Sequence, residues 1–270
     1  MTIRSISDLQ NHSEEEIEDL RSSISLKAHY FKGSAIAGKR ETLTLDEYKE
    51  WAESLGEECF TCGGTGIFKK EVRSVGTIHA SGSNFCVRKL YYDVVADRPS
   101  KTTISHALQI TFAIGHALHE HIQTCLGLSM GDAFQDEVRV DLPSAFVENS
   151  HTDGVVDLGN TRVLLEIKSI GKEFDRLTGP KEDHLVQAMA IYATAMDTPF
   201  ISFMYISKSW PHDIKEYVLT YDPKAYKKWW RRKGSKVEKA LLSGTPPIAD
   251  AKKAECDNCG YNYFCEQRAR

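Results

Sequence analysis

The chain has 270 residues, 41% of them hydrophobic, and a formal net charge of −4. That suits one sizeable domain with appendages or two small ones, and it excludes a globally basic nucleic-acid binder, so any grip on DNA has to be local. No stretch is long and apolar enough to span a bilayer, and the opening MTIRSISDLQ lacks the apolar core of a signal peptide, so a cytoplasmic protein with no membrane partner is expected.

Seven cysteines in such a chain point to metal or redox chemistry more than to disulfides. Residues 1–80 read as an accessory region. Ser13-Glu14-Glu15-Glu16 and Thr44-Leu45-Asp46-Glu47 both fit a capping box, which predicts a helix start at each. The second helix runs through Tyr48 and Trp51 to a C-cap at Gly56, and the small residues from Gly33 to Arg40 read as a loop. Cys59-Phe60-Thr61-Cys62 followed by Gly63-Gly64 has the shape of half a zinc ribbon. His79 is a third candidate ligand and no fourth is evident. The plain alternative is two reduced thiols in a turn.

Ser83 to Asp97 predicts a helix after Cys86, a residue that by itself reads as a small buried hydrophobe. A longer helix spans Thr103 to Leu128, where Ile104, Leu108, Phe112, Leu118, Ile122 and Leu126 recur at mostly four-residue steps. It carries His116 and His119. A strand over Phe134 to Leu142 leads into HTDGVVDLGNTRVLLEIKS, His151 to Ser169, which reads as a hairpin with Gly159-Asn160 in its tight turn. That turn sets Asp157 opposite Arg162, Val155 opposite Leu164 and Asp153 opposite Glu166, while Lys168 shares a face with Glu166. Opposed carboxylates repel unless something positive lies between them. A hard divalent cation such as Mg²⁺ takes such oxygen ligands and acidifies a water, and a nearby ammonium can orient that water or a phosphate. This is a recipe for phosphodiester hydrolysis. The plain alternative is a solvated hairpin whose acids face water.

Lys181 to Met196 predicts the next helix, with Gln187 near its start, and Pro199 to Lys208 and Asp213 to Tyr221 read as two strands. The order of elements gives an α/β fold with a mixed sheet flanked by helices. Lys224 to Lys239, KAYKKWWRRKGSKVEK, is the most basic stretch, interleaved with Tyr226, Trp229 and Trp230. Its aromatic side suits a core and its Lys/Arg side suits phosphates. The C-terminal Cys256, Cys259 and Cys265 offer three thiolates, and either Cys86 alone or the Cys59 and Cys62 pair could complete a metal or cluster site.

Asp153, twelve residues, then Glu166-Ile167-Lys168 resembles the PD-(D/E)XK nuclease superfamily, most closely its RecB-like exonuclease branch. The resemblance covers roughly residues 81–270 and says nothing of 1–80. It implies a restriction-endonuclease-like core and a Mg²⁺- or Mn²⁺-dependent DNA exonuclease acting on single strands or DNA ends. It implies a metal held by Asp153, Glu166, the Ile167 carbonyl and a helical histidine, His119, four residues after Gly115, with His116 the alternative. Lys168 would position water, and Gln187 would orient water or DNA. Relatives place a tyrosine four residues after that glutamine; here position 191 is Ile and Tyr192 stands one step late, about 100° round an α-helix. One cysteine before the core and three after it resembles the AddB-type and CRISPR-associated members, which implies a 4Fe–4S cluster on Cys86, Cys256, Cys259 and Cys265. Arg88, Lys89, Tyr91 and Tyr92 would line a strand channel beside it, and Asp157 would serve only if the hairpin slipped. From a different class, a DNA-binding adaptor working with a helicase, recombinase or integrase is the competing expectation.

Overall fold

The computed structural model describes residues 2–37, 80–95, 106–140, 150–209 and 212–265. The second expected capping box, Cys59, Cys62 and His79 lie outside these residues. Five strands form one mixed sheet in the order β1-β2-β3-β4-β5: β1 (Phe134–Val140), β2 (Ser150–Asp157), β3 (Arg162–Ile170), β4 (Phe200–Ser207) and β5 (Ile214–Thr220). Neighbours are antiparallel except β3 and β4, which run parallel and need a helical crossover. That crossover is α5 (Glu182–Leu185), which continues directly as a π-helical stretch, Val186–Ala193.

Period-two alternation assigns the central strands to two cores. Val163, Leu165 and Ile167 of β3 with Phe200, Met204 and Ile206 of β4 face α1 (Glu14–Ser23), α2 (Leu26–Ala37) and α4 (His106–Met130). Leu164 with Ile201, Phe203 and Tyr205 faces the π-helical stretch, α3 (Val87–Val95), α6 (Pro223–Trp229) and α7 (Ser235–Ser243). Every residue of β4 is buried, as a strand covered on both faces requires. By the same parity Glu166 and Lys168 follow Leu164 onto the second face.

The expected capping box starts α1: Ser13 Oγ accepts from Glu16 N–H at 3.3 Å and Glu16 Oε2 accepts from Ser13 N–H at 2.9 Å. A strand caps the next helix. Glu216 of β5 accepts from the backbone N–H of Leu26 at 2.8 Å and of Lys27 at 3.0 Å, anchoring α2 to the sheet. Residues 33–37, expected as a loop, are the last turn of α2. Gly33 is there because α2 crosses α4 without room for a side chain: a Cβ at this position would sit 1.7 Å from the Cys125 carbonyl oxygen. Gly33, which reads as a loop former, is here a packing residue.

The hairpin forms in the expected register, with Asp157 opposite Arg162 and Val155 opposite Leu164. Gly159 carries a positive φ of 82° in the loop, the pattern of a turn with glycine at its first central position. Asp157 is held at this far end by an ion pair with Arg4, so it serves the surface. No helix among the described residues is long and apolar enough to cross a membrane.

The α2–α4 crossing gives a direct test. Gly33→Ala forces the two backbones apart, and urea unfolding should show a loss of about 1–3 kcal/mol with an unchanged m-value.

Candidate active site

The β2–β3 ladder runs from Asp157–Arg162 to Gly154–Leu165 and goes no further. Asp153 and Glu166, expected as direct cross-strand partners, lie just past its end. Side chains take over from backbone pairing there. Thr152 Oγ1 donates to the Leu165 carbonyl at 3.0 Å, and Asp153 Oδ2 accepts the Ile167 N–H at 2.6 Å. The strands part, and the Asp153 carboxylate lies in the gap. A similar interruption occurs on the other side. The β1–β2 pairs Asp136–Gly154 and Val138–Thr152 flank Glu137, whose φ is 45°. Gln123 of α4 serves the carbonyl exposed by this interruption, donating to the Asp153 oxygen at 2.8 Å and to Glu137 Oε1 at 3.0 Å.

The gap brings groups together from both sides of the sheet. From α4, His119 Nδ1 stands 3.3 Å from Asp153 Oδ1, while His116 is exposed. From β3, the Lys168 ammonium contacts Glu166 Oε1. Glu166 is 1% exposed. Burial pushes its carboxyl up to about 7, with the Asp153 charge adding to the rise and Lys168 opposing it. Burial also works against the Asp153 charge, but the His119 contact, Lys168 and the Ile167 N–H outweigh it and hold this carboxyl below its ordinary value. For Lys168, burial is outweighed by Glu166 and Asp153, and the ammonium is held above its ordinary range. The site thus gathers two carboxylates, one ammonium and one imidazole.

Gln187 joins the site through the π-helical stretch. Its Nε2 donates to the Tyr192 hydroxyl at 3.2 Å, a contact between residues five apart. The i→i+5 winding returns Tyr192 to the face that an α-helix would have turned away. The expected misplacement of Tyr192 is thus corrected by the winding of the helix. Burial raises the Tyr192 phenol, and the charges of Glu166 and Asp153 add to it.

Two further residues complete the surroundings. His184 and Gln187 line a small cavity of about 160 Å³ with Ser83, Asn84, Lys168 and Asp183. A larger cleft of about 480 Å³ lies at the far end of the same strands, around Arg4, Asp157 and Arg162. Sequence reasoning passed over Glu137, Gln123 and His184. For Gln123 a signal existed: it stands four residues after His119, one turn along the same helix face.

Asp153, Glu166, the Ile167 carbonyl and His119 are the groups that could hold a divalent cation. Among the described residues, no three His, Cys, Asp or Glu side chains are set out as a ready-made metal cage. Lys168 holds one carboxylate and the Ile167 N–H occupies an oxygen of the other. The donor chemistry suits a hard cation.

The expected strand channel at Arg88, Lys89, Tyr91 and Tyr92 is not there. Arg88, Tyr91 and Tyr92 are buried, because α3 packs against α7 and the C-terminal segment. Tyr92 meets Phe264 edge-on at 4.9 Å, Tyr261 donates to Asp93 Oδ1 at 2.9 Å, and Lys89 pairs with Asp93 at 2.7 Å. Burial raises the Cys259 thiol; the Tyr261 backbone and the Lys89 charge oppose the rise, and Cys86 and Cys265 add to it. On the basic stretch, Trp229 is buried and donates to the Ser83 carbonyl at 3.1 Å, while Lys227, Lys228, Arg231, Arg232 and Lys236 are exposed.

Comparison with solved structures gives distant likenesses. The protein SSO0001 has 18% sequence identity and a TM-score of 0.46, covering 83% of this chain and 95% of that chain. The alkaline exonuclease LHK-Exo from Laribacter hongkongensis has 14% identity and a TM-score of 0.38, over 63% of this chain and 94% of its own. Its complex with dAMP gives 15% identity and a TM-score of 0.41, with the same coverage. No family model and no curated protein matches the chain.

His184 carries a pH dependence. Burial pushes its imidazole down to about 4, with Lys168 and Lys181 adding to the fall and Asp183 opposing it. A folded pKa below the unfolded value gives stability that is fully present above about 6.5 and is lost as pH falls towards 4. In denaturant titrations across that window, wild type should lose more stability than His184→Gln.

Proposed function

We propose that the chain is a metal-dependent nuclease, a RecB-like member of the PD-(D/E)XK superfamily that hydrolyses phosphodiesters of single-stranded DNA or DNA ends. The observation that supports this most is the meeting of Asp153, Glu166, Lys168 and His119 at one parting of two strands. Two carboxylates, an ammonium and an imidazole drawn from three elements exceed what a solvated hairpin needs. The intact set also favours an enzyme over a purely structural adaptor.

In this reading Asp153, Glu166, the Ile167 carbonyl and His119 hold Mg²⁺ or Mn²⁺. The cation supplies positive charge against the phosphate and acidifies a water. With an ion held there, Lys168 would orient the attacking water and steady the charge growing on the phosphate oxygens. The water, its proton given up to solvent, would bond to phosphorus as the P–O ester bond breaks in line, and the leaving oxygen would take a proton from solvent, with no covalent intermediate. Gln187, tied to Tyr192, orients water or DNA. The exposed cations from Lys227 to Lys236 carry the strand's phosphates, which answers the net negative charge of the whole chain.

For Cys86, Cys256, Cys259 and Cys265 we propose a 4Fe–4S cluster. What supports it is the packing of α3, which directly follows Cys86, against the segment that carries Cys259. Such a cluster would fasten α3 to the C-terminal segment, alongside the Tyr92–Phe264 and Tyr261–Asp93 contacts already there.

Two measurements test these readings. End-labelled single-stranded DNA with Mn²⁺ should be degraded by wild type and at least about a hundredfold more slowly by Asp153→Ala and Lys168→Ala. Equal degradation by all three contradicts the site, and none by wild type favours the adaptor. Anaerobically purified protein should be brown and carry about four iron atoms per chain, lost in Cys259→Ser together with a lower melting temperature; iron-free wild type of unchanged stability removes the cluster.

A further inference from the structure

The small cavity beside Lys168 has polar walls and a fixed hydrogen-bond direction. Tyr205 of β4 pairs in register with Lys168, and its ring stacks on His184 with centroids 5.6 Å apart. The Tyr205 hydroxyl accepts the Lys181 N–H at 3.2 Å and stands 2.8 Å from His184 Nδ1. An oxygen that accepts that amide keeps its own proton to donate, and donation to Nδ1 is the pairing this geometry favours. The neutral imidazole then carries its own proton on Nε2. The nearest carboxylate oxygen, Asp183 Oδ2, is 3.9 Å from Nε2, too far for a hydrogen bond. Nε2–H is thus the donor that His184 brings to the cavity.

The other walls mix donors and acceptors. They are the Lys168 ammonium, the Gln187 amide, the Ser83 turn and Asn84, whose Nδ2 reaches the Asp183 carbonyl at 3.4 Å. Asp183 is the one carboxylate among these six, and its side chain is 63% exposed to water. At about 160 Å³ the cavity has room for roughly five waters, or for one tetrahedral anion, and it is below the size of pockets that hold whole nucleotides. Outside it, Glu182 links to the basic helix, with Lys228 at 3.3 Å and Arg232 at 3.6 Å.

We propose that this cavity is a phosphate subsite, in which His184 Nε2–H and Asn84 receive a phosphate group of the bound strand next to the one being cut, with Lys168 standing between the two phosphates. The assignment rests on the nuclease reading for its ligand. It makes His184 a substrate-binding residue and Tyr205 the residue that fixes its tautomer. From the cavity the strand continues past Glu182 onto Lys228 and Arg232.

The test reads binding alone, in EDTA, so that it stands apart from cleavage. Fluorescence anisotropy of the full chain with 5′-phosphorylated and 5′-hydroxyl oligonucleotides is followed, with inorganic phosphate as competitor. His184→Phe should weaken strand binding about tenfold and blunt phosphate competition, while His184→Gln, which keeps an N–H donor, stays near wild type. Tyr205→Phe should fall between them. A loss confined to the phosphorylated strand identifies a terminal phosphate, and equal losses identify an internal phosphodiester; both support the subsite. Asn84→Ala repeats the test if His184→Phe does not fold. Unchanged binding and unchanged competition in these variants overturn the proposal. A wild type that binds phosphate here but never cuts DNA sinks the nuclease reading and leaves the subsite standing.

Discussion

A buried Glu166 and a half-buried Asp153 at one strand parting, opposed among the described residues by Lys168 and His119, impose the constraint that the surrounding fold meets. Buried charge is costly unless it is paired, and the cost shows as a Glu166 carboxyl pushed up to about 7. The strands cannot simply pair through this point. Thr152 and Asp153 replace ladder hydrogen bonds with side-chain ones, and Gln123 serves the Asp153 carbonyl. Each backbone group named here that loses its strand partner finds another, so the gap stays open without leaving these polar atoms stranded.

The rest of the architecture holds that gap in place. β4, buried throughout, fixes β3 from one side. α4 spans 25 residues, roughly 37 Å, and carries both His119 and Gln123 to the site while Ile122 and Leu126 anchor it in the core. Glu216 capping α2, and Gly33 admitting α2 onto α4, fix that helix from behind. On the other face the π-helical stretch spends regular winding to bring Tyr192 onto Gln187.

Much of the site was legible in the chain itself. A Gly-Asn turn between apolar runs sets the hairpin register, and period two then puts Asp153, Glu166 and Lys168 in one neighbourhood. His119 came from the family resemblance, which asks for a helical histidine four residues after a glycine. What stayed hidden depends on departures from regular geometry. α-Helical spacing argues against Tyr192, and nothing in VQAMAIYA announces a π winding. Gly33, which reads as the start of a loop, is small because a helix crosses there. The Arg88 to Tyr92 segment reads as a polar and aromatic surface, yet α7 and Tyr261 bury most of it. Glu137 and His184 gain meaning only from the strands and rings they face.

The central claim is that the gap between β2 and β3 is a seat for one divalent cation. Calorimetric titration of metal-free protein with Mn²⁺ tests it most directly. The account predicts one ion per chain bound by wild type at this site, lost in both Asp153→Ala and Glu166→Gln, with the folded state intact by circular dichroism. Binding that survives both substitutions unchanged, or no binding by folded wild type, would contradict it.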